Sequence, residues 1–221
     1  MPSDELLETF DSKRENAETK EYFPNTQEEL ISFSGSSANY CVSIVDMVNS
    51  TKISSLLPNN KACRYYALFL NSMAALALKC GAKIVKNLGD SLLYYFPYAD
   101  VGEKLDLTRI IDCGLKMLDA RDEINSIMKS EQLPTVSYRI SGDYGWVLLA
   151  KQKNTSNIDI FGPAVNMCAR INRCTIPNSM VIGSDLYQII KNSQYRFLQI
   201  KACSVGHKVD YPVYMVTDRI E

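Results

Sequence analysis

The stretch Ile84-Val85-Lys86-Asn87-Leu88-Gly89-Asp90-Ser91-Leu92-Leu93-Tyr94-Tyr95-Phe96 constrains what this chain can fold into more than any other. Two apolar runs flank a Gly-Asp pair, which predicts a β-hairpin with a tight turn and a carboxylate at its tip. An earlier apolar run, Cys41-Val42-Ser43-Ile44-Val45, also ends in a carboxylate, Asp46. Neighbouring strands lie roughly 5 Å apart, so if these two strands are adjacent, both carboxylates face one point at the same edge of a sheet.

The remaining elements follow from hydrophobic periodicity. Tyr40–Met47 is expected as a buried strand, followed by a small polar turn through Val48-Asn49-Ser50-Thr51. Asn59 and Asn60 cap a helix over Lys61–Cys80, with Tyr65, Leu68, Phe69, Met73, Leu76 and Ala77 on one face and Gly81 as its stop. After the hairpin comes one long amphipathic segment over Val101–Lys129, ended by Pro134. Val136–Asp143 and Trp146–Lys151 alternate as a second hairpin turning near Tyr144-Gly145. The Asp159-Ile160-Phe161-Gly162-Pro163 run leads into a helix over Ala164–Cys174. A short strand Met180–Ile182, a helix Asp185–Lys191 and a terminal strand pair, Arg196–Lys201 with Val213–Thr217, complete the chain. This order is an α+β plan: an open, mostly antiparallel sheet with helices on one face.

Residues 1–39 are polar with thinly spread apolar positions and read as an N-terminal extension or linker, leaving 40–221 as one domain. With 46% hydrophobic residues the chain can bury a sizeable core. Lys and Arg (24) balance Asp and Glu (25), so no global basic field exists to attract nucleic acid or an anionic membrane, and an anionic ligand must be held locally. None of the seven cysteines forms a CxxC pair, which argues against a zinc ribbon or a disulfide framework. The sequence shows neither an apolar signal segment nor an apolar run near the ~20 residues that span a bilayer, so a reduced, cytoplasmic protein is expected.

Asp46 and Asp90 each follow apolar residues directly, where a carboxylate is costly without a cation or strong donors. Two such hard oxygen ligands suit Mg²⁺ or Mn²⁺, which take one or two protein carboxylates and fill the remaining positions with phosphate oxygens. Asn166 and Arg170 are one helical turn apart and share a face, where a guanidinium suits phosphate. His207 is the only histidine and sits in a polar segment, which disfavours hydrolase triads and His-ligated zinc. Neither GxxxxGK[ST] nor GxGxxG occurs.

Three separated motifs resemble the catalytic domain of the class III nucleotidyl cyclases, the adenylate and guanylate cyclase family. Ser43-Ile44-Val45-Asp46-Met47-Val48-Asn49-Ser50-Thr51 resembles the family's first metal strand and phosphate turn. Lys86-Asn87-Leu88-Gly89-Asp90 resembles its Lys-Thr-Ile-Gly-Asp hairpin, and the stretch from Asp159 to Arg170 its Asp-x-x-Gly-x-x-Val-Asn-x-Ala-x-Arg motif. The resemblance covers about Tyr40–Val216 and implies a ferredoxin-like α+β fold. It implies that Asp46 and Asp90 bind two Mg²⁺ or Mn²⁺ ions per active site, with the Met47 carbonyl as a further ligand. By the same resemblance Lys86 and Asp159 read the purine, Asn166 orients the ribose, and Arg170 stabilises charge on the transferring phosphoryl group. Ser50 and Thr51 resemble turn residues that touch the triphosphate, and Lys208 stands nearest to the family's C-terminal triphosphate lysine.

Family active sites form between two domains, and this chain holds both residue sets, so the resemblance implies a homodimer with two equivalent sites. A Lys-Asp pair suits adenine, whereas guanylate cyclases of the family usually carry Glu and Cys at those positions. The expectation is therefore an adenylate cyclase acting on ATP, with room for an upstream regulatory domain. A guanylate cyclase and a catalytically silent nucleotide-binding or dimerisation module of the same fold are the alternatives. Ser141-Gly142-Asp143-Tyr144-Gly145 departs from the family's Gly-Ile-x-x-Gly hairpin.

Overall fold

The computed structural model describes residues 31–97, 107–152, 158–203 and 211–219. One eight-stranded sheet runs through it in the order β2-β3-β1-β4-β6-β8-β7, with β5 paired to β4 off this path. The strands are β1 (Ile31–Met47), β2 (Lys83–Leu88), β3 (Ser91–Phe96), β4 (Tyr138–Gln152), β5 (Ile158–Phe161), β6 (Ser179–Gly183), β7 (Tyr195–Cys203) and β8 (Tyr211–Arg219). The helices are α1 (Ser50–Ser54), α2 (Asn59–Lys79), α3 (Arg109–Asp119), α4 (Arg121–Ser130), α5 (Pro163–Asn172) and α6 (Ser184–Ile190). All strand pairs are antiparallel except β4 with β6. The mostly antiparallel α+β architecture is therefore the one the element order implied.

Alternation along β1 divides the core. Cys41, Val45 and Met47 pack with Tyr65, Phe69 and Met73 of α2, Ile111 and Met117 of α3, Met128 of α4 and Leu186 of α6. Val42 and Ile44 point the other way, against Ala164 and Cys168 of α5. Helices therefore cover both faces of the sheet, not one as expected. The reason is the Val181 layer of β6, whose outward side chain joins Ile171 of α5 in a further apolar cluster that needs a cover of its own. The Tyr65 and Tyr94 side chains are fully buried, as core-filling residues should be.

Four other sequence readings change. The strand expected from Tyr40 begins at Ile31, because Ile31–Phe33 extend the ladder with β4 (Ile31 opposite Gln152) despite their polar neighbours. The amphipathic segment divides into two helices at Ala120, so that Ile110, Ile111 and Met117 and then Ile124 and Met128 all reach the same core. The second hairpin is instead one continuous strand, β4, paired with β1 from Met47 opposite Tyr138 to Ile31 opposite Gln152. Gly145 marks a close approach, not a turn: a Cβ there would stand 3.3 Å from the Ala164 methyl at the start of α5. Finally, Cys174 is disulfide-bonded, whereas the expectation was a fully reduced chain; Cys41, Cys63, Cys80, Cys113 and Cys168 are free.

Candidate active site

The β2–β3 hairpin forms as the Gly-Asp pair predicts. Leu88 opposes Ser91, leaving Gly89 and Asp90 as a two-residue loop, and Gly89 has φ +67°, which glycine adopts without strain at the first central position. In the adjoining β1–β3 ladder Asp46 opposes Ser91, so the residue next to the hairpin tip lies beside the end of β1. The Met47 N–H donates to the Asp90 carbonyl (3.4 Å), and the Ser50 hydroxyl donates to the Asp90 carboxylate. Asp46 and Asp90 thus stand side by side at one sheet edge, where the sequence expected them.

Their electrostatics couple two carboxylates and one guanidinium. Burial pushes the Asp46 carboxyl above its ordinary range, the Arg139 hydrogen bond pulls it back, and the neighbouring Asp90 pushes it up again. The Arg139 guanidinium lies 2.7 Å from Asp46 Oδ2, a positive charge standing where two carboxylates would otherwise repel. The donor set is hard oxygen, and among the described residues no group of three or more His, Cys, Asp or Glu side chains gathers to hold a metal. Two carboxylates with the remaining positions left to carbonyl, water or phosphate oxygens fit Mg²⁺ or Mn²⁺ and fit poorly to zinc or calcium.

Met47 is 2% exposed with its side chain in the core, so only its carbonyl is available as a ligand. Ser50 is buried and Thr51 is exposed at the start of α1, after Asn49 in a left-handed conformation (φ 58°). Ser50 therefore acts here as a support for Asp90, a contact that the turn resemblance did not foresee.

The second pair also meets. Lys86 of β2 and Asp159 of β5, far apart in sequence, form a direct ion pair, and Asp159 accepts from its own Ile160 N–H (2.9 Å). The Lys86 ammonium stands 5.6 Å from the Phe161 ring centroid, and that ring packs edge-on against Phe33.

Asn166 and Arg170 lie on the exposed face of α5, one turn apart. Gly162 sets the entry of this helix with φ +136°; a Cβ there would meet the Trp146 carbonyl oxygen at 2.9 Å. Lys208 and His207 lie outside the described residues.

Two charged residues were missed from sequence. Arg139 sits directly opposite Asp46 in the β1–β4 register. Its signal is visible only once β4 is read as one strand alongside β1. Asp143, 1% exposed, lies further along β4 with its carboxylate accepting from the Tyr144 N–H (2.9 Å), the Leu186 N–H (3.4 Å) and the Tyr211 hydroxyl (3.0 Å). Burial pushes it up to about 7 in spite of these donors.

The sequence matches the family model described as the adenylate and guanylate cyclase catalytic domain over residues 34–218. No curated protein matches it. Among solved structures, the fold is similar to the guanylyl cyclase Cya2 (TM-score 0.76, 20% identity, 84% of this chain and 94% of that one). It is also similar to the adenylyl cyclase CyaB from P. aeruginosa (TM-score 0.72, 19% identity, 83% and 96%). A third is the guanylate cyclase domain of RhGC from Catenaria anguillulae in complex with GTP (TM-score 0.72, 19% identity, 84% and 100%). At these identities the structures speak to fold, and both nucleotide specificities are represented among them. The family match spans nearly the whole of the described sheet, with the Asp46–Asp90 and Lys86–Asp159 pairs inside it, and this chain belongs to the class III adenylate and guanylate cyclase catalytic domain family.

Proposed function

We propose that the chain is an adenylate cyclase, converting ATP to 3′,5′-cyclic AMP and pyrophosphate at two equivalent sites shared across a homodimer. The observation that carries this reading is the Lys86–Asp159 ion pair. Adenine presents an acceptor at N1 and a donor at its 6-amino group, so an ammonium and a carboxylate satisfy one each, whereas guanine reverses that order. A desolvated site of this kind leaves a polar group unpaired with the wrong base, a mismatch worth roughly 10⁴-fold.

In this reading Asp46 and Asp90, with the Met47 carbonyl, would hold two Mg²⁺ or Mn²⁺ ions, which when bound lower the pKa of the ribose 3′-hydroxyl and neutralise phosphate oxygens. The ribose 3′-hydroxyl gives its proton to solvent, its oxygen bonds to the α-phosphorus, the bond from that phosphorus to the oxygen bridging to the β-phosphate breaks, and pyrophosphate leaves. Ser50 keeps the Asp90 carboxylate aimed at the β1 end. Arg139, paired with Asp46 in the structure, would have phosphate oxygens as alternative acceptors. Asn166 of the partner subunit orients the ribose and the partner's Arg170 offsets charge developing in flight. Thr51 and Lys208 contribute to holding the triphosphate. No protein nucleophile is required.

The test is turnover of ATP and of GTP, each with Mg²⁺ and with Mn²⁺, over a protein dilution series. Cyclic AMP formation with specific activity that falls on dilution supports the reading. Cyclic GTP as the dominant product replaces it with the guanylate alternative. The Arg139 side chain on Asp46 also supports a second reading, a nucleotide-binding module that does no chemistry. ATP binding without pyrophosphate release under either metal favours that one.

A further inference from the structure

Helix α5 has two functional faces. Asn166 and Arg170 occupy its exposed side, while Cys168 and Asn172 point to the sheet and are buried, at 0% and 4% exposure. Asn172 follows Arg170 by two residues, about 200° around the helix, so the two side chains leave it in nearly opposite directions. The buried side is not simply apolar. The Asn172 amide donates to the Ile44 carbonyl of β1 (3.2 Å) and to the Ser141 hydroxyl of β4 (3.1 Å). The Ser141 hydroxyl in turn donates to the Cys168 carbonyl (3.0 Å), closing a loop of contacts between helix and sheet. Ser141 itself is fully buried, and Ile44 is two residues from Asp46 on the same strand.

We propose that Asn172 and Ser141 are positioning residues for the cyclase reaction, fixing the height and rotation of α5 over β1 and thereby the place of Asn166 and Arg170. The proposal rests on the adenylate cyclase reading and goes beyond it, since neither residue touches substrate in that reading.

The physical reason is directionality. Ala164, Cys168 and Ile171 pack against Val42, Ile44, Val147 and Val181, and such contacts change little when a helix slides or turns by a fraction of a residue. A buried amide is less forgiving. At 3.1 and 3.2 Å both bonds are already near the long end of the normal range, so displacement along either axis loses one of them and strands a donor among apolar groups. One residue of slip moves a helix by about 1.5 Å and turns it by about 100°, which takes the amide out of reach of both acceptors. A misplacement of about 1 Å in a catalytic group costs on the order of 10²-fold in rate.

The test uses Asn172→Leu, which keeps the volume and removes the donor, and Ser141→Ala, a milder change that serves if the first fails to fold. Each is made in the native chain and in an Arg170→Ala chain. With ATP and Mn²⁺, Asn172→Leu is expected to lower kcat about tenfold or more with KM changed by less than about twofold, because the orienting and charge-offsetting groups are displaced while the base-reading and triphosphate-holding residues stay in place. In the Arg170→Ala chain the same change is expected to lower kcat by a clearly smaller factor, since only Asn166 is then left to misplace. An equal loss in both chains, or a loss mainly in KM, overturns the proposal. Amide hydrogen exchange along α5 is a readout independent of turnover: faster exchange in Asn172→Leu supports the positioning role and unchanged exchange overturns it. Absence of turnover in the native chain with either nucleotide refutes the cyclase reading instead, and the exchange measurement still decides whether this contact fixes the helix.

Discussion

Replacing Asp143 by Asn isolates the energetic cost of one buried carboxylate. Asp143 is 1% exposed, between Tyr144, Tyr211 and the start of α6, and burial raises its carboxyl from 3.8 to about 7. The groups facing it are the Tyr211 hydroxyl of β8, Asp185 of α6, and the thiols of Cys41 on β1 and Cys168 on α5. Between about pH 4 and about pH 7 the folded state holds a proton that the unfolded chain has released, so stability falls as pH rises through that window and levels off above it. The shift corresponds to about 4 kcal/mol in all, of which roughly 2.5 kcal/mol develops between about pH 5 and about pH 8. An amide fits the same donors and acceptors as the protonated acid: its oxygen accepts from Tyr144 and Leu186, and its NH₂ donates to the Tyr211 oxygen. Urea unfolding of both proteins across that range is the assay, with the difference between them cancelling every other titrating group. Asp143→Asn is expected to exceed the native chain by about 1.5 kcal/mol near pH 5 and by about 4 kcal/mol near pH 8, a gap that widens by about 2.5 kcal/mol across the range. Parallel pH profiles for the two proteins would refute the reasoning.

Three further outcomes are expected. Arg170→Ala lowers kcat on the order of 10²-fold or more with little change in the KM for ATP, read by steady-state kinetics; an equal rise in KM makes Arg170 a substrate-binding residue instead. Mixing equal amounts of inactive Asp46→Ala and Arg170→Ala chains restores about a quarter of native activity, because half of the randomly formed dimers carry one intact site out of two; no recovery after subunit exchange argues against shared sites. Gly162→Ala costs about 1 to 3 kcal/mol in thermal unfolding, since φ +136° is strained for alanine and the added methyl meets the Trp146 carbonyl oxygen.

Much of the site was legible because its signals are local. Gly89 and Asp90 between two apolar runs dictate a turn, and Asp46 at the end of an apolar run dictates a strand edge, so their meeting required only that β1 and β3 pair. The α5 motif was legible for the same reason: Gly162 and Pro163 fix a helix start, and Asn166 and Arg170 are then on one face. What was not legible depends on long-range pairing. Tyr144-Gly145 looks like a turn in isolation; it is strand because β1 offers a continuous partner and Ala164 needs the room that glycine leaves. Arg139 acquires meaning only from that register. The β1 extension over Ile31–Phe33 and the break at Ala120 are likewise set by what the segments pack against and not by their own residues.

The joined state of Lys86 and Asp159 has a consequence for selectivity. Before any purine arrives, the two side chains that would read it satisfy each other, so an incoming base must exchange its own donor and acceptor for an interaction that already exists. In the proposed adenylate cyclase reading, adenine would return a partner to both side chains, while a base with the reverse pattern would open the pair without matching the order of its donor and acceptor. On this view added salt, which screens the half-exposed ammonium and weakens its hold on the carboxylate, makes the swap easier for the matching base.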